Sequence, residues 1–452
     1  HAPRGMLEFW IDPESPYYKP KLDDGRRLVL YCGSGWRSAL SAAALREMGR
    51  DDVSHLGGGF SGWKKAGLRK MMLRPNWPFQ YGCSSLPFGH HQQLYEAFPC
   101  AYPHGAVSAD IDHLMLQWTI HGLADYALCK GMLYPDAPFE RWEAEYCSAF
   151  GDAAEDARAY FRYWQERVWE ARILPDYDAI VRSDPVDNFL RAIWRRGLGA
   201  YFKDADFDAA DALLEAGLKK QLTPLERERL ESLRLLNGDS RRVIRAAAAE
   251  DGPEKYRATR DLIAYRDVHH AAYGIDLPRA MVNEITLDRD NLYTDARTLL
   301  LDYPLPWTRL PGRWYFALDR DNRGLAEGWP DKTEDAIRRL PMLAATAPRY
   351  SPGDTDPALK QALAADEGPG WYFIAQPLPP ELNGKPVFLL FPELSRNAEI
   401  FVNGRSMHRQ QGDTPVAADI TKALDGGQTN LLIAVRQEGR QGLTRRPWLA
   451  GR

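Results

Sequence analysis

Cys32 stands where an apolar run meets a glycine-rich loop, in Leu28-Val-Leu-Tyr-Cys-Gly-Ser-Gly-Trp-Arg-Ser38, and Ala-Leu-Ser-Ala-Ala-Ala-Leu45 follows. A sulfur placed there has a route to becoming a nucleophile. Gly33 and Gly35 let the next peptides curl so that their N–H groups turn inward, and a helix starting near Ser38 aims the positive end of its dipole the same way. Both favour negative charge on sulfur, and the thiolate is the reactive form of cysteine. Arg37 adds a fixed positive charge suited to an anionic reactant. Ser38 reads equally as a helix N-cap and as a substrate contact. The chemistry expected is attack by Cys32 on an electrophilic centre. The backbone N–H groups of Gly33, Ser34, Gly35, Trp36, Arg37 and Ser38 would hold the charge of the product.

The elements that must position this loop are a strand before it and a helix after it. Leu28 to Tyr31 is a continuous apolar run, as a parallel strand buried on both faces requires. The Ala-rich stretch after Ser38 supplies the helix.

The remaining candidates have plainer readings. Besides Cys32 the cysteines are Cys83, Cys100, Cys129 and Cys147, with no C-x-x-C pair to indicate zinc and an odd total that argues against a disulfide framework. Cys129 and Cys147 read as small buried hydrophobes. Asp110, Asp112 and His113 are consecutive at a helix start and do not converge on a metal. His90-His91 and His269-His270 read as surface pairs with diverging side chains. Glu140, Glu143 and Glu145 fit a solvated helix face better than a glycosidase carboxylate pair. Trp314, Trp329 and Trp371 read as sandwich core before sugar platforms. No metal or cofactor is expected.

The 452 residues suffice for roughly three domains of ~150 each. With 44% apolar and 27% charged residues the chain falls in the globular class, and a net charge of −4 gives no basic field for nucleic acid. No run reaches the ~18 apolar residues of a membrane span. No compartment is indicated.

Phe98-Pro-Cys-Ala-Tyr-Pro-His-Gly105 reads as loop, leading to Ser108 as the N-cap of a helix through Trp118 and Cys129. A helix from near Asp136 carries Trp142, Tyr146 and Phe150, and the next carries Ala157, Phe161, Trp164 and Val168. Asp206 reads as a cap for a helix through Lys219. Thr223-Pro-Leu-Glu226 combines a capping box with proline at the first helical position, and Asn237-Gly238 reads as that helix's end. These helices imply an antiparallel bundle to about residue 285. From about residue 310 the period becomes two, in Trp314–Leu318, Gly370–Ile374, Val387–Leu390, Glu399–Val402 and Leu431–Val435, with turns at Asn383-Gly384 and Asn403-Gly404.

The Cys32 loop resembles that of rhodanese domains, sulfurtransferases that carry sulfur as a cysteine persulfide. Arg4-Gly-Met-Leu-Glu-Phe-Trp-Ile-Asp-Pro-Glu-Ser-Pro16 and His55-Leu-Gly-Gly-Gly-Phe-Ser-Gly-Trp63-Lys-Lys-Ala-Gly67 support the likeness. It implies Cys32 as the catalytic residue, with a small sulfur donor and a thiol or cyanide acceptor as partners. Residues 1–67 resemble the C-terminal half of such a domain, without the strand that carries an Asp-x-Arg turn. As His1 is no initiator Met, the sequence is expected to be cut there. Trp118-Thr-Ile-His-Gly-Leu-Ala-Asp-Tyr126, Tyr134-Pro-Asp-Ala-Pro-Phe-Glu-Arg-Trp142 and Glu145-Tyr-Cys-Ser-Ala-Phe-Gly151 look like the region after the barrel in glycoside-hydrolase-like proteins related to α-glucuronidases and β-hexosaminidases. The tail is similar to the sugar-binding jelly roll of β-galactosidase-type enzymes, which implies carbohydrate as an alternative partner. No glycosidase catalytic residue is carried over, since the barrel is missing. The fold class expected is multidomain: a partial rhodanese-like parallel α/β module over 1–70, a mainly helical bundle over 71–300 and a C-terminal jelly-roll β-sandwich over 301–452.

Overall fold

The computed structural model describes residues 4–22, 24–33, 35–59, 61–62, 71–73, 85–109, 118–183, 192–193, 197–275, 277, 291–344, 368–394, 397–411, 415–424, 429–438, 443 and 445–452. They form two compact units, one of residues 1–76, 95–112 and 131–136, the other of the remainder.

In the first unit, α1 (Arg4–Ile11) is followed by β1 (Leu28–Leu30), α2 (Trp36–Glu47) and β2 (Val53–His55). β1 and β2 pair in parallel, Leu28 opposite Val53 and Leu30 opposite His55, with α2 as the crossover. The core is Leu7, Ile11, Ala42, Leu45 and Val53, against which Leu22, Leu28 and Leu30 pack. Only one face of β1 is covered by described residues: Val29 is 59% exposed and Tyr31 48%. This corrects the expectation of a strand buried on both sides. Side chains alternate along a strand, so Leu28 and Leu30 turn to the helices and Val29 turns away.

The same unit holds a second parallel pair, β3 (Met71–Leu73) with β4 (Ala106–Ala109). Ser108 therefore lies in a strand and caps no helix. The stretch read as loop from Phe98 is the end of α3 (His91–Ala101), which tolerates Pro99, then a 3-10 turn over Tyr102–His104. The burial of Phe98, 1% exposed, outweighs the local proline signal.

In the second unit, α4 (Trp118–Leu133, of which residues to 130 belong here), α5 (Phe139–Cys147) and α6 (Ala154–Trp164) lead into a π-helical stretch, Gln165–Ile173. Then come α7 (Asp204–Leu218), α8 (Pro224–Ala248) and α9 (Pro253–His269). α7 packs on α6 and α8, and α8 on α9. The capping box forms as expected, with Thr223 N–H donating to Glu226 at 2.8 Å and Pro224 at the first position. Asp206 is at the third position of α7, not its cap, and accepts from Lys203 N–H at 2.8 Å. Asn237-Gly238 does not end α8, which continues ten residues further. A Cβ on Gly238 would lie 2.5 Å from the Tyr265 hydroxyl, so this glycine admits a close approach of α9. Asn237 is likewise spent on a bond to Asp211, at 2.7 Å.

Among the described residues the β region has two antiparallel sheets. One has strand order β11-β10-β13-β8-β6-β7, the other β12-β9-β14-β5. Their ranges are β5 Trp307–Arg309, β6 Arg313–Leu318, β7 Met342–Ala344, β8 Gly370–Pro377, β9 Val387–Phe391, β10 Ala398–Val402, β11 Arg405–Arg409, β12 Val416–Asp419, β13 Asn430–Gln437 and β14 Trp448–Gly451. One core joins both sheets through Trp314, Tyr372, Leu389, Val402, Ile433 and Leu449. Asn403 and Gly404, at φ 49° and 80°, make the tight turn between β10 and β11. Trp314 and Trp371 are fully buried, Trp371 stacked 5.6 Å from Phe401, so neither offers a ring face to a sugar. Trp329 packs edge-on at 5.9 Å from Trp371.

Candidate active site at Cys32

The apolar run carries the chain to Cys32 at the end of β1, where the sulfur is half-buried. The loop then turns through Gly35, whose φ of 91° is in the region glycine favours. Gly35 is the cap residue of α2, so the helix begins at Trp36, two residues earlier than the sequence indicated. Ser38 is thus neither N-cap nor free for substrate. It is in the first turn, 3% exposed, and its hydroxyl donates to the Gly35 carbonyl at 3.0 Å. The helix starts early because Gly35 O already accepts the first helical bond, from Ala39 N–H at 3.0 Å.

One backbone donor reaches the sulfur, and a hydroxyl whose proton is given to Gly35 O stands near it. Gly35 N–H is 3.2 Å from Cys32 Sγ, and the Ser38 hydroxyl is 3.6 Å from it. The positive end of α2 adds its partial charge from the same side. Gly33 and Trp36 are exposed beside the sulfur, Trp36 at 78%. Arg37 is exposed at the second helical position and has no ion-pair partner among the described residues. Ser34 lies outside the described residues.

The triple glycine Gly57-Gly58-Gly59, quoted above only as part of the rhodanese likeness, sets the loop. Gly59, at φ 58°, lies so close that a Cβ on it would be 2.4 Å from Cys32 O and from Gly35 N. A Cβ on Gly35 would in turn sit 3.0 Å from Gly59 N. Ser61 then donates to Gly33 O from its backbone N–H at 3.2 Å and its hydroxyl at 3.3 Å. Those bonds hold the Gly33 carbonyl toward Ser61, while the Gly35 N–H goes to the sulfur. The signal was legible as three consecutive glycines, which a turn alone does not require.

The other cysteines are differently placed. Cys147 is buried, and burial pushes its thiol up to about 12. Cys129 is exposed, against expectation, because Ala127 and Leu128 take the inward face of α4. Partial desolvation and the Asp125 carboxylate still raise its thiol above the usual range. Cys100 is exposed, and Cys83 lies outside the described residues. None of the three described has the donors that surround Cys32.

Two further expectations are corrected. His90 and His91 are buried, 4% and 3% exposed, because α3 starts between them in an aromatic setting. Glu143 is fully buried, not solvated, held by Arg158 at 2.8 Å and Arg162 at 2.7 Å. Glu140 is exposed, and Glu145 accepts from Tyr126 and Lys130. His269 and His270 are half-buried. Asp110, Asp112 and His113 lie outside the described residues. Among those described, no three His, Cys, Asp or Glu side chains are arranged to hold a metal ion, and no helix is long and apolar enough to cross a membrane.

No curated protein matches the chain. Among solved structures, the β-glucuronidase of Lactobacillus rhamnosus is similar at 23% identity over 33% of this chain and 30% of that one, with a TM-score of 0.27. That of Ruminococcus gnavus is similar at 20% identity over 33% and 30%, with the same TM-score. The likeness thus spans under a third of those chains and carries no argument about activity. A family model does match, over residues 3–66 at the N-terminal end of the chain. It does not mark them as the C-terminal half of a domain, and that narrower expectation is not carried further. The stretch that holds Cys32 between β1 and α2 is similar to the rhodanese-like domain.

Proposed function

We propose that this chain is a rhodanese-type sulfurtransferase whose catalytic residue is Cys32. The Cys32 thiolate attacks the outer sulfur of an anionic donor such as thiosulfate. The donor's S–S bond breaks, sulfite leaves with the electron pair, and Cys32 keeps the transferred sulfur as a persulfide. A thiolate or cyanide acceptor then attacks the terminal sulfur and returns Cys32 to its thiolate. The Gly35 N–H and the positive end of α2 face the charge on the outer sulfur, and Arg37 draws the donor.

The observation that carries this reading is the Gly35 N–H donated to the sulfur at 3.2 Å, at the positive end of α2. The match of residues 3–66 to the rhodanese-like domain supports it. The working division is a sulfur-transfer module over 1–70, a helical region over 71–300 and a β-sandwich over 301–452, the last taken as a jelly roll. A carbohydrate partner has no observation in its favour, and Trp314 and Trp371 are both fully buried. The test is thiosulfate-dependent thiocyanate formation by the full chain and by Cys32→Ser. Turnover lost in the variant supports the reading, and equal rates overturn it.

A further inference from the structure

Three histidines in the helical part of the second unit have no place in sulfur transfer. His90, His91 and His121 are 4%, 3% and 2% exposed, and all three line one cavity with Phe88, Phe161 and Trp164. The space admits little more than a water molecule. The segment that carries two of them is wedged in place. Gly89, at φ 71°, lies where a Cβ would be 2.4 Å from Trp164 C and Gln165 N, the peptide at which α6 passes into the π-helical stretch. The His90 ring is 5.2 Å from Trp169 in that stretch, and the His91 ring stacks at 5.7 Å on Phe139. Ser85 and Leu86 are fully buried, and Ser240 donates to the Ser85 carbonyl. A π turn widens the helix and commonly marks a functional position.

We propose that this cavity is a proton-operated latch, which holds the segment Ser85–Leu94 while its imidazoles are uncharged and releases it when they take up protons. A neutral imidazole is tolerated in such a cavity, but two imidazolium ions there are desolvated and repel one another. The surrounding charges do not reverse this. His91 faces Glu143 from α5 and Arg162 from α6, and Glu143 is already shared between Arg158 and Arg162. The π-helical stretch contributes Glu170, which accepts from Gln165. Burial pushes His91 down to about 4, and burial with the neighbouring His121 and His91 pushes His90 well below its ordinary range.

The sign follows from proton linkage. Released, the histidines titrate near 6.5, so below that pH the open state binds protons that the closed state refuses, and closure weakens. Between pH 6.5 and 5.5, His90 and His91 together favour opening about thirtyfold.

Hydrogen exchange of the full chain at pH 6.5 and 5.5, with exchange times scaled for the intrinsic rate, tests the latch. The expected result is about thirtyfold loss of protection in peptides from 85–94, with β8 and β13 unchanged. His91→Phe keeps the ring stack and removes one titrating group, so the same peptides should lose about fivefold less protection. Unchanged protection at 85–94, or an equal loss in His91→Phe, overturns the proposal. Should that variant fail to fold, NMR of the wild type labelled with 15N-histidine decides. Buried imidazoles that stay neutral until protection is lost support the latch, and imidazolium signals with protection intact overturn it.

Discussion

At the scale of single residues, the sulfur proposed as the nucleophile depends on what its neighbours lack. Gly35 and Gly59 touch through their backbones, and the loop keeps the Gly35 N–H on Cys32 only while neither carries a side chain. Gly59→Ala puts a Cβ within 2.4 Å of two backbone atoms that cannot yield separately. The expected outcome is at least about a tenfold fall in thiocyanate formation with unchanged far-UV circular dichroism, since the displaced donors act on charge in the transition state. Arg37 has a different role. It is exposed and unpaired among the described residues, so Arg37→Ala should raise KM for thiosulfate about fivefold, with kcat changed less than twofold. Steady-state kinetics over a range of thiosulfate concentrations separates the two effects.

At the scale of elements, local signals were legible wherever a single residue satisfies a single local need. The capping box at Thr223-Pro-Leu-Glu226 starts α8, and Asn403-Gly404 makes the turn its backbone angles require. The long β-prone runs became β6, β8, β9, β10 and β13, because their aromatic and branched side chains fill both sides of a sheet. Signals failed where a distant partner decided. Gly238 looks like a helix stop, but its missing side chain serves Tyr265, whose hydroxyl donates to Leu235 O at 2.7 Å. Gly238→Ala should therefore destabilise the helical region by about 1–3 kcal/mol in urea unfolding, although alanine is the better helix former. β11 escaped notice because Arg405-Ser-Met-His-Arg409 has no apolar alternation, and its pairing with β10 supplies the strand. His90 and His91 were misread for the same reason: nothing next to them in sequence reveals the aromatic side chains that bury them. At the sulfur, Cys32, Gly35 and the helix start were legible in outline. The contact from Gly59 and the bonds from Ser61 were not, since they come from across the parallel pair.

At the scale of the whole molecule, the two units answer to different chemistry. The first holds the sulfur on a small parallel α/β frame, and the second carries buried ionisable groups that tie its stability to pH. Asp125 is one. Its carboxyl is raised to about 6 by burial, so the ionised form strains the fold above that pH and the strain fades as pH falls through 6. Asp125→Asn should stabilise the chain by about 2 kcal/mol at pH 7 and by almost nothing at pH 4, read from urea midpoints at both.

The claim on which the functional account stands is that Cys32 alone among the cysteines accepts a sulfane sulfur. Peptide mass spectrometry after incubation with thiosulfate, followed by alkylation, reads this directly. The account predicts the mass of one added sulfur atom on the peptide that holds Cys32, with Cys100 and Cys129 unmodified although both are exposed. No added sulfur on Cys32, or equal addition at all three, would contradict it.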